Sequence, residues 1–156
     1  MNYASINKYD TANGPGIRVS IFVSGCTLKC KGCFNPESWN FCFGSVFTEE
    51  SLNSVLKYLE PEYINGLSIL GGDPLEPENQ EEVLKICKKV KEVLPNKTIW
   101  LWTGRVYNKI KDLPIMKYID TIVDGPYVES MHKMDLLYRG SSNQNIIHLT
   151  GNKNGK

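Results

Sequence analysis

Three cysteines that stand close together are the feature of this sequence that most directly suggests chemistry. Cys26, Cys30 and Cys33 place three thiols within eight residues, directly after a segment with the alternating pattern of a strand. A short loop at a strand end can turn three sulfur atoms toward one point, and cysteine thiolates are the ligands of iron–sulfur clusters. Three ligands for a four-iron cluster leave one iron open to an outside molecule, as catalytic metal sites require. The spacing therefore favours a cluster with an open iron.

Two other uses of these thiols remain open on spacing alone. A structural zinc site needs a fourth ligand. The sequence offers four candidates for it: Cys42, Cys87, His132 and His148. A dithiol redox pair at Cys30 and Cys33 also fits, although such a pair does not need the neighbouring Cys26. Cys87 lies on the apolar face of a predicted helix, where a packed thiol is expected.

Further candidate residues stand at the ends of two predicted strands. Gly71 and Gly72 end a short apolar run, and two glycines let a backbone edge approach a ligand closely. The carboxylate of Asp73 could pair with a ligand cation at this point. Gly-Gly-Asp-Pro is also good turn sequence, so an ordinary turn remains an alternative. Thr103, at the end of another predicted strand, is a further candidate for a polar contact to a cofactor.

The elements that must position these residues alternate between strands and helices. Strands are predicted at residues 17–23, 66–70, 98–102, 121–123 and 145–149. Helices are predicted from the cap at Thr48 and from Pro77. This order indicates parallel βαβ units, and a complete eightfold barrel takes about 250 residues. We therefore expect an α/β fold with an incomplete β/α barrel and a mostly parallel sheet, as a single small domain over residues 1–156.

Composition narrows the class of protein. Lys plus Arg number 18 against 17 Asp plus Glu, which gives no electrostatic case for binding nucleic acid or an anionic membrane. The sequence has no run of about 20 apolar residues that could span a membrane. It begins without the basic and apolar pattern of a signal peptide, and its five cysteines do not suggest a secreted disulfide framework. A cytoplasmic location is expected.

The C-x3-C-x2-C spacing after the first predicted strand resembles the signature of the radical S-adenosylmethionine enzymes. Further segments resemble, more narrowly, the family of anaerobic ribonucleoside-triphosphate reductase-activating proteins. They run in order along nearly the whole chain, at residues 13–16, 71–75, 100–104, 123–125 and 139–144. The sequence departs from the pattern at Gly32 and Arg105, where an aromatic residue is more usual, and at Phe34, where Tyr is more usual.

The resemblance implies a cofactor set and its ligands. Cys26, Cys30 and Cys33 would each bind one iron of a 4Fe–4S cluster, and S-adenosylmethionine would bind the fourth iron through its amino nitrogen and carboxylate. Reductive cleavage would give a 5′-deoxyadenosyl radical. The residues expected around this cofactor are Gly32, Phe34, Gly71, Gly72, Asp73 and Thr103. Of these, Phe34 would flank the nucleoside through its backbone, although core packing is an equal alternative for its side chain.

The same resemblance implies partners. The activated protein would be the anaerobic ribonucleoside-triphosphate reductase, on which a glycyl radical is installed, and the electron would come from a low-potential donor such as a flavodoxin. Two alternatives stay open: an activator of another glycyl-radical enzyme such as pyruvate formate-lyase, and a non-catalytic zinc-binding interaction module. Residues 139–144 form a polar segment that would either dock the partner or tie the last strand to the sheet.

Overall fold

The computed structural model describes residues 1–149, in which seven strands form one sheet. The strands are β1 (Asn2–Asp10), β2 (Ile17–Val23), β3 (Ser45–Val46), β4 (Ile64–Gly71), β5 (Thr98–Trp102), β6 (Thr121–Asp124) and β7 (Asn145–His148). Their order across the sheet is β3-β1-β2-β4-β5-β6-β7. The end of the predicted domain, at residue 156, lies outside the described residues.

The centre of the sheet is parallel and its two sides are antiparallel. β2, β4, β5 and β6 run parallel to their neighbours in this group, as the alternation of strands and helices predicts. β1 is antiparallel to both β2 and β3, and β7 is antiparallel to β6. The described chain is thus one mixed α/β domain with an open, mostly parallel sheet. This confirms the predicted α/β class and the predicted mostly parallel sheet.

Three helices connect the strands of the parallel group. They are α1 (Glu49–Leu59), α2 (Pro77–Val93) and the short α3 (Tyr107–Ile110). Short 3₁₀ helices occur at Pro36–Trp39, Pro114–Lys117 and Glu129–Met131. The cap predicted at Thr48 is confirmed, because its side chain accepts a hydrogen bond from the Ser51 backbone while the Ser51 hydroxyl bonds the Thr48 backbone. None of the helices within residues 1–149 is long and apolar enough to cross a membrane.

The two faces of the sheet have different chemistry because side chains alternate along each strand. One face packs against α1 and α2 and forms the hydrophobic core. Its central strand residues are fully buried: Val19, Ile21, Leu67, Ile69, Ile99 and Leu101. We call the opposite face, which carries Arg18, Ser20, Ser68 and Trp100, the polar face. These four side chains are also buried, so the second face is covered as well.

The sequence analysis does not predict β1 and β3. β1 lies toward one side of the sheet, and most of its residues are exposed or half-buried, so its sequence has no clean apolar alternation. Its strand conformation comes from pairing with β2, in a register that joins Ile6 to Ile21. β3 has only two residues, both exposed, and pairs with the start of β1.

Candidate functional site

The three cysteines lie together at the carboxyl end of β2. Cys26, Cys30 and Cys33 are half-buried and line one cavity of about 570 Å³. Side chains of the polar face close this cavity on the sheet side: Phe22, Leu70 and Trp102. Five more residues predicted for the site also line it: Phe34, Gly71, Gly72, Asp73 and Thr103. The structure therefore brings together residues that are up to 77 positions apart in the chain.

The paired glycines join the end of β4 to the cysteine loop. The Gly72 backbone N–H donates to the Val23 carbonyl over 2.8 Å, and the Asp73 N–H donates to the Gly25 carbonyl over 2.8 Å. A Cβ atom at residue 72 would lie 2.6 Å from the Gly25 oxygen, and Gly71 has a φ of 115°. Both positions therefore require glycine, because the backbones of two strand ends approach each other here.

A buried carboxylate holds the residue that follows Cys26. The Glu76 carboxylate accepts hydrogen bonds from the Thr27 backbone N–H over 2.6 Å and from the Thr27 hydroxyl over 2.8 Å. Arg105 lies 3.4 Å from Glu76 and 2.9 Å from Asp73, measured between charged atoms. Although burial opposes its ionisation, the bonds from Thr27 and the charge of Arg105 lower the pKa of Glu76. The only sequence signal for this group is the unusual arginine at position 105.

The Asp73 carboxylate is fully buried and already bonded within the chain. It accepts hydrogen bonds from the Leu75 N–H over 2.9 Å, the Thr103 hydroxyl over 2.9 Å and the Gly104 N–H over 3.0 Å. Burial raises the pKa of Asp73, against the opposing effect of these bonds and of Arg105. The carboxylate joins the ends of β4 and β5, and its predicted pairing with a ligand cation stays a prediction.

Phe34 lies at the rim of the cavity and not in the core. Its side chain is 67% exposed, so the core-packing alternative for Phe34 is wrong. Its ring centroid is 5.2 Å from that of Tyr127 and 5.9 Å from that of His132, and both of these residues also line the cavity. No local pattern in the sequence indicates this aromatic group, because its members come from two loops that only the fold brings together.

Gly32 is exposed, and it is not among the described residues that line the cavity. Its φ is 79°, in the left-handed region that favours glycine, and a Cβ atom there would meet the carboxylate of Glu129. The glycine therefore allows the cysteine loop to approach the 3₁₀ helix Glu129–Met131. Its predicted place beside a nucleoside stays a prediction.

The remaining two cysteines, Cys42 and Cys87, are not among the described residues that line the cavity. Cys87 is fully buried on α2 within the hydrophobic core, as predicted, and burial raises its pKa strongly. Cys42 is exposed. Within residues 1–149 no group of three or more His, Cys, Asp or Glu side chains has the arrangement of a site for a single metal ion.

Residues 139–144 are bonded mainly to neighbouring loops. The Arg139 guanidinium donates to the Gln144 carbonyl over 3.1 Å, and the Gln144 side chain accepts from the backbone of Gly140 and donates to that of Gly125. The Asn143 amide donates to the Pro126 carbonyl over 2.8 Å. These contacts tie the start of β7 to the end of β6, which agrees with the structural alternative. Docking by this segment stays a prediction.

The thiols and cavity fit an iron–sulfur cluster that binds a further ligand. Burial raises the pKa of the Cys26 thiol, and the carboxylates of Asp73 and Glu76 act in the same direction, whereas backbone N–H groups oppose it. Bound iron would offset this effect, because its positive charge favours the thiolate. A cavity of about 570 Å³ also lies within the size range of small-molecule sites.

Comparison with known proteins gives the class first. Residues 12–147 match a family model described as a 4Fe-4S single cluster domain, which contains all three cysteines of the loop. Relatives narrow this class. A protein of Enterobacteria phage T4 is 44% identical over 94% of this chain and 93% of its own length. One from Vibrio cholerae is 40% identical over 95% and 97%, and one from Escherichia coli K12 is 37% identical over 96% and 99%.

Each of these three relatives is named an anaerobic ribonucleoside-triphosphate reductase-activating protein. The identities extend over nearly the full length of both chains in every comparison. The chain described here therefore belongs to the family of anaerobic ribonucleoside-triphosphate reductase-activating proteins.

Proposed function

We propose that this protein is the activating enzyme of an anaerobic ribonucleoside-triphosphate reductase, on which it installs a glycyl radical. One observation carries the proposal. Three half-buried thiols line a single cavity at a strand end, in a chain that belongs to the family of such activating proteins. A 4Fe–4S cluster and S-adenosylmethionine are the cofactors that this class of enzyme uses.

The residues of this chain have separate tasks around those cofactors. Cys26, Cys30 and Cys33 would hold three irons of the cluster, which would leave the fourth iron for S-adenosylmethionine. When bound, the cluster and S-adenosylmethionine together supply a 5′-deoxyadenosyl radical that abstracts hydrogen from a glycine. Gly71 and Gly72 offer backbone close to the ligand. The walls of the cavity orient the ligand and exclude water from it.

The hydrogen bonds of Thr103 and Gly104 to the buried Asp73 carboxylate stabilise the same site. They fix the end of β5 against the end of β4, so that both strand ends face the cavity in one arrangement. We also propose that Asp73 and Thr103 contact the cofactor. The backbone at Gly32 and Phe34 would contact its nucleoside.

We also infer that the open sheet is an incomplete β/α barrel. Four parallel strands carry α1 and α2 on one face, and the cavity lies against the other face, where a barrel has its interior. A solved structure in which the strands β2, β4, β5 and β6 do not curve around the cavity would contradict this inference.

The reductase is the proposed partner, and the rim of the cavity suits a protein. Two apolar side chains that line the cavity are largely exposed: Phe34 is 67% exposed and Met134 94%. Exposed apolar patches beside a site often mark protein contacts. We further propose a low-potential donor such as a flavodoxin and a cytoplasmic location, because a reducing compartment keeps cysteines as free thiols that can bind iron.

Anaerobic purification tests this function. We expect a brown protein with about four irons per chain, which with S-adenosylmethionine and a reductant produces a glycyl radical signal on the reductase in electron paramagnetic resonance. The Cys42→Ala variant is the matched control and should keep this activity. A colourless protein with about one zinc per chain would overturn the proposal in favour of an interaction module. A radical on pyruvate formate-lyase but not on the reductase would reassign the partner.

A further inference from the structure

Gly25 and Thr27, the residues on either side of Cys26, are both hydrogen-bonded to one turn formed by residues 73–76. The Gly25 carbonyl accepts from the Asp73 N–H over 2.8 Å, and the Thr27 N–H donates to the Glu76 carboxylate over 2.6 Å. The turn is closed by the Glu76 N–H, which donates to the Asp73 carbonyl over 3.2 Å. The backbone at Cys26 is thus tied on each side to residues 73–76, at the end of β4.

Glu76 is itself held in a single position. Its residue is 1% exposed, and one carboxylate oxygen accepts both Thr27 bonds and lies 3.4 Å from the Arg105 guanidinium. Arg105 lies 2.9 Å from the Asp73 carboxylate at the same time. A buried carboxylate is retained only with such partners, because its desolvation is costly.

Thr27 is followed directly by Leu28 and Lys29, which begin the loop between Cys26 and Cys30. Lys29 has a φ of 48°, in the left-handed region, and successive N–H groups around such a residue form a concave binding site for negative charge. Hydrogen bonds to cysteine sulfur tune the properties of iron–sulfur clusters.

We propose that Glu76 is a positioning residue for the cluster, which acts through Thr27 to hold Cys26 and the start of the loop that follows it. Arg105 keeps Glu76 ionised and in place for this task. The inference rests on the proposed cluster at the three cysteines. Partners of metal ligands typically contribute about 10–100-fold to metal affinity, so the contribution of Glu76 is measurable.

The test compares Glu76→Ala with Glu76→Gln in the reconstituted protein. Iron release to a chelator under anaerobic conditions should be about tenfold faster in Glu76→Ala. In Glu76→Gln the amide oxygen still accepts from Thr27, so release should stay within about threefold of the unmodified rate. The electron paramagnetic resonance spectrum of the reduced cluster should change in the Ala variant and be largely restored in the Gln variant. Glu78→Ala, which removes an exposed acid in the first turn of α2, is the control and should match the unmodified protein.

A second variant keeps the test decisive if Glu76→Ala does not fold. Thr27→Val removes the hydroxyl donor and leaves the backbone donor, and it should release iron about threefold faster. Unchanged release in both Glu76→Ala and Thr27→Val would overturn the inference, as would equal release in the Ala and Gln variants of Glu76. Iron content and spectrum of the unmodified protein are measured first. Absence of a cluster there counts against the proposed function and not against the role of Glu76.

Discussion

The two ends of the polar face differ: one is filled by a buried, hydrogen-bonded arginine, and the other borders a cavity lined by thiols. At the amino end of the strands, the Arg18 guanidinium is fully buried and donates to the Ser68 hydroxyl over 2.8 Å, the Thr98 hydroxyl over 3.0 Å and the Leu67 carbonyl over 3.0 Å. Its charged group also lies 5.8 Å from the ring centre of Trp100. At the carboxyl end, three thiols are half-buried and border a cavity. We call these the arginine end and the cysteine end.

The arginine end is filled by its own side chains and their hydrogen bonds, whereas the cysteine end borders a cavity. Burial lowers the pKa of Arg18 to about 10, so it remains charged at neutral pH and depends on its bonded oxygens for stabilisation. At the cysteine end the turn of residues 73–76 holds the backbone, but the sulfur atoms border open space. This division agrees with the general rule that parallel strands carry function at their carboxyl ends and stability at their amino ends.

The largest effect is expected from loss of one cluster ligand at the cysteine end. Cys30→Ala should abolish cluster-dependent cleavage of S-adenosylmethionine, because the cluster requires all three thiolates. Cleavage by the anaerobically reconstituted protein measures this. Cys42→Ala should retain activity because Cys42 is exposed, and Cys87→Ala should do so because Cys87 lies in the core. Full activity of Cys30→Ala would remove the distinction between the two ends.

The next largest effect is expected at the arginine end, on stability. Arg18→Ala leaves several buried oxygens without a donor and should lower the free energy of unfolding by about 3 kcal/mol. Chemical denaturation of the iron-free protein measures this, with Lys88→Ala, an exposed site, as the control that should change by less than about 0.5 kcal/mol. A variant as stable as the unmodified protein would show that the arginine end does not have a stabilising role.

A smaller effect, on ligand binding, is expected from loss of the buried Asp73 carboxylate, which lines the cavity. Asp73→Ala should weaken binding of S-adenosylmethionine by about tenfold, because Thr103 and Gly104 lose the acceptor that positions them, while iron content stays nearly intact. Equilibrium binding to the reconstituted protein measures this. Asp73→Asn, which keeps one acceptor oxygen, should bind more tightly than the Ala variant. Unchanged affinity in both would make the Gly-Gly-Asp segment an ordinary turn.

The sequence predicts the parallel strands well because their signals are local. The strands at residues 17–23 and 98–102 have the predicted bounds, since alternating β-branched and aromatic residues are a direct signal. The pattern marks Arg18 as a strand residue, but nothing local indicates that the second sheet face is buried. Pairing of Asp10 with Arg18 at the end of β1 is likewise set by the fold.

The sequence predicts those parts of the site that consist of contiguous motifs, and it does not predict contacts between distant residues. The three cysteines and Gly71-Gly72-Asp73 are visible as segments, and the structure places them on one cavity. Glu76 is 49 residues from Thr27 and Arg105 is 29 residues from Glu76, so their contact depends on how two strand ends meet. Side-chain partners at such separations follow from the packed structure and have no periodic signal.

The smallest effect is expected at Asp10, which anchors the loop at the arginine end. Its carboxylate accepts from the Ala12 N–H over 2.8 Å and the Asn13 side-chain amide over 2.8 Å, as well as from the Ser20 hydroxyl. Although burial opposes its ionisation, these bonds lower the pKa of Asp10 below its ordinary value. Asp10→Asn should therefore lower the free energy of unfolding at pH 6 by about 1 kcal/mol.

The pH dependence of this effect separates charge from packing. Because the pKa of Asp10 is lower in the folded than in the unfolded state, the unfolded state binds the proton more readily as the pH falls. The stabilisation is present above the ordinary carboxyl pKa of about 4 and is lost as the pH falls through the lowered folded value. The unmodified protein and Asp10→Asn should thus differ at pH 6 and converge at lower pH, as measured by denaturation of the iron-free forms. A difference that does not change with pH would show that the loop is held by packing and not by the carboxylate charge.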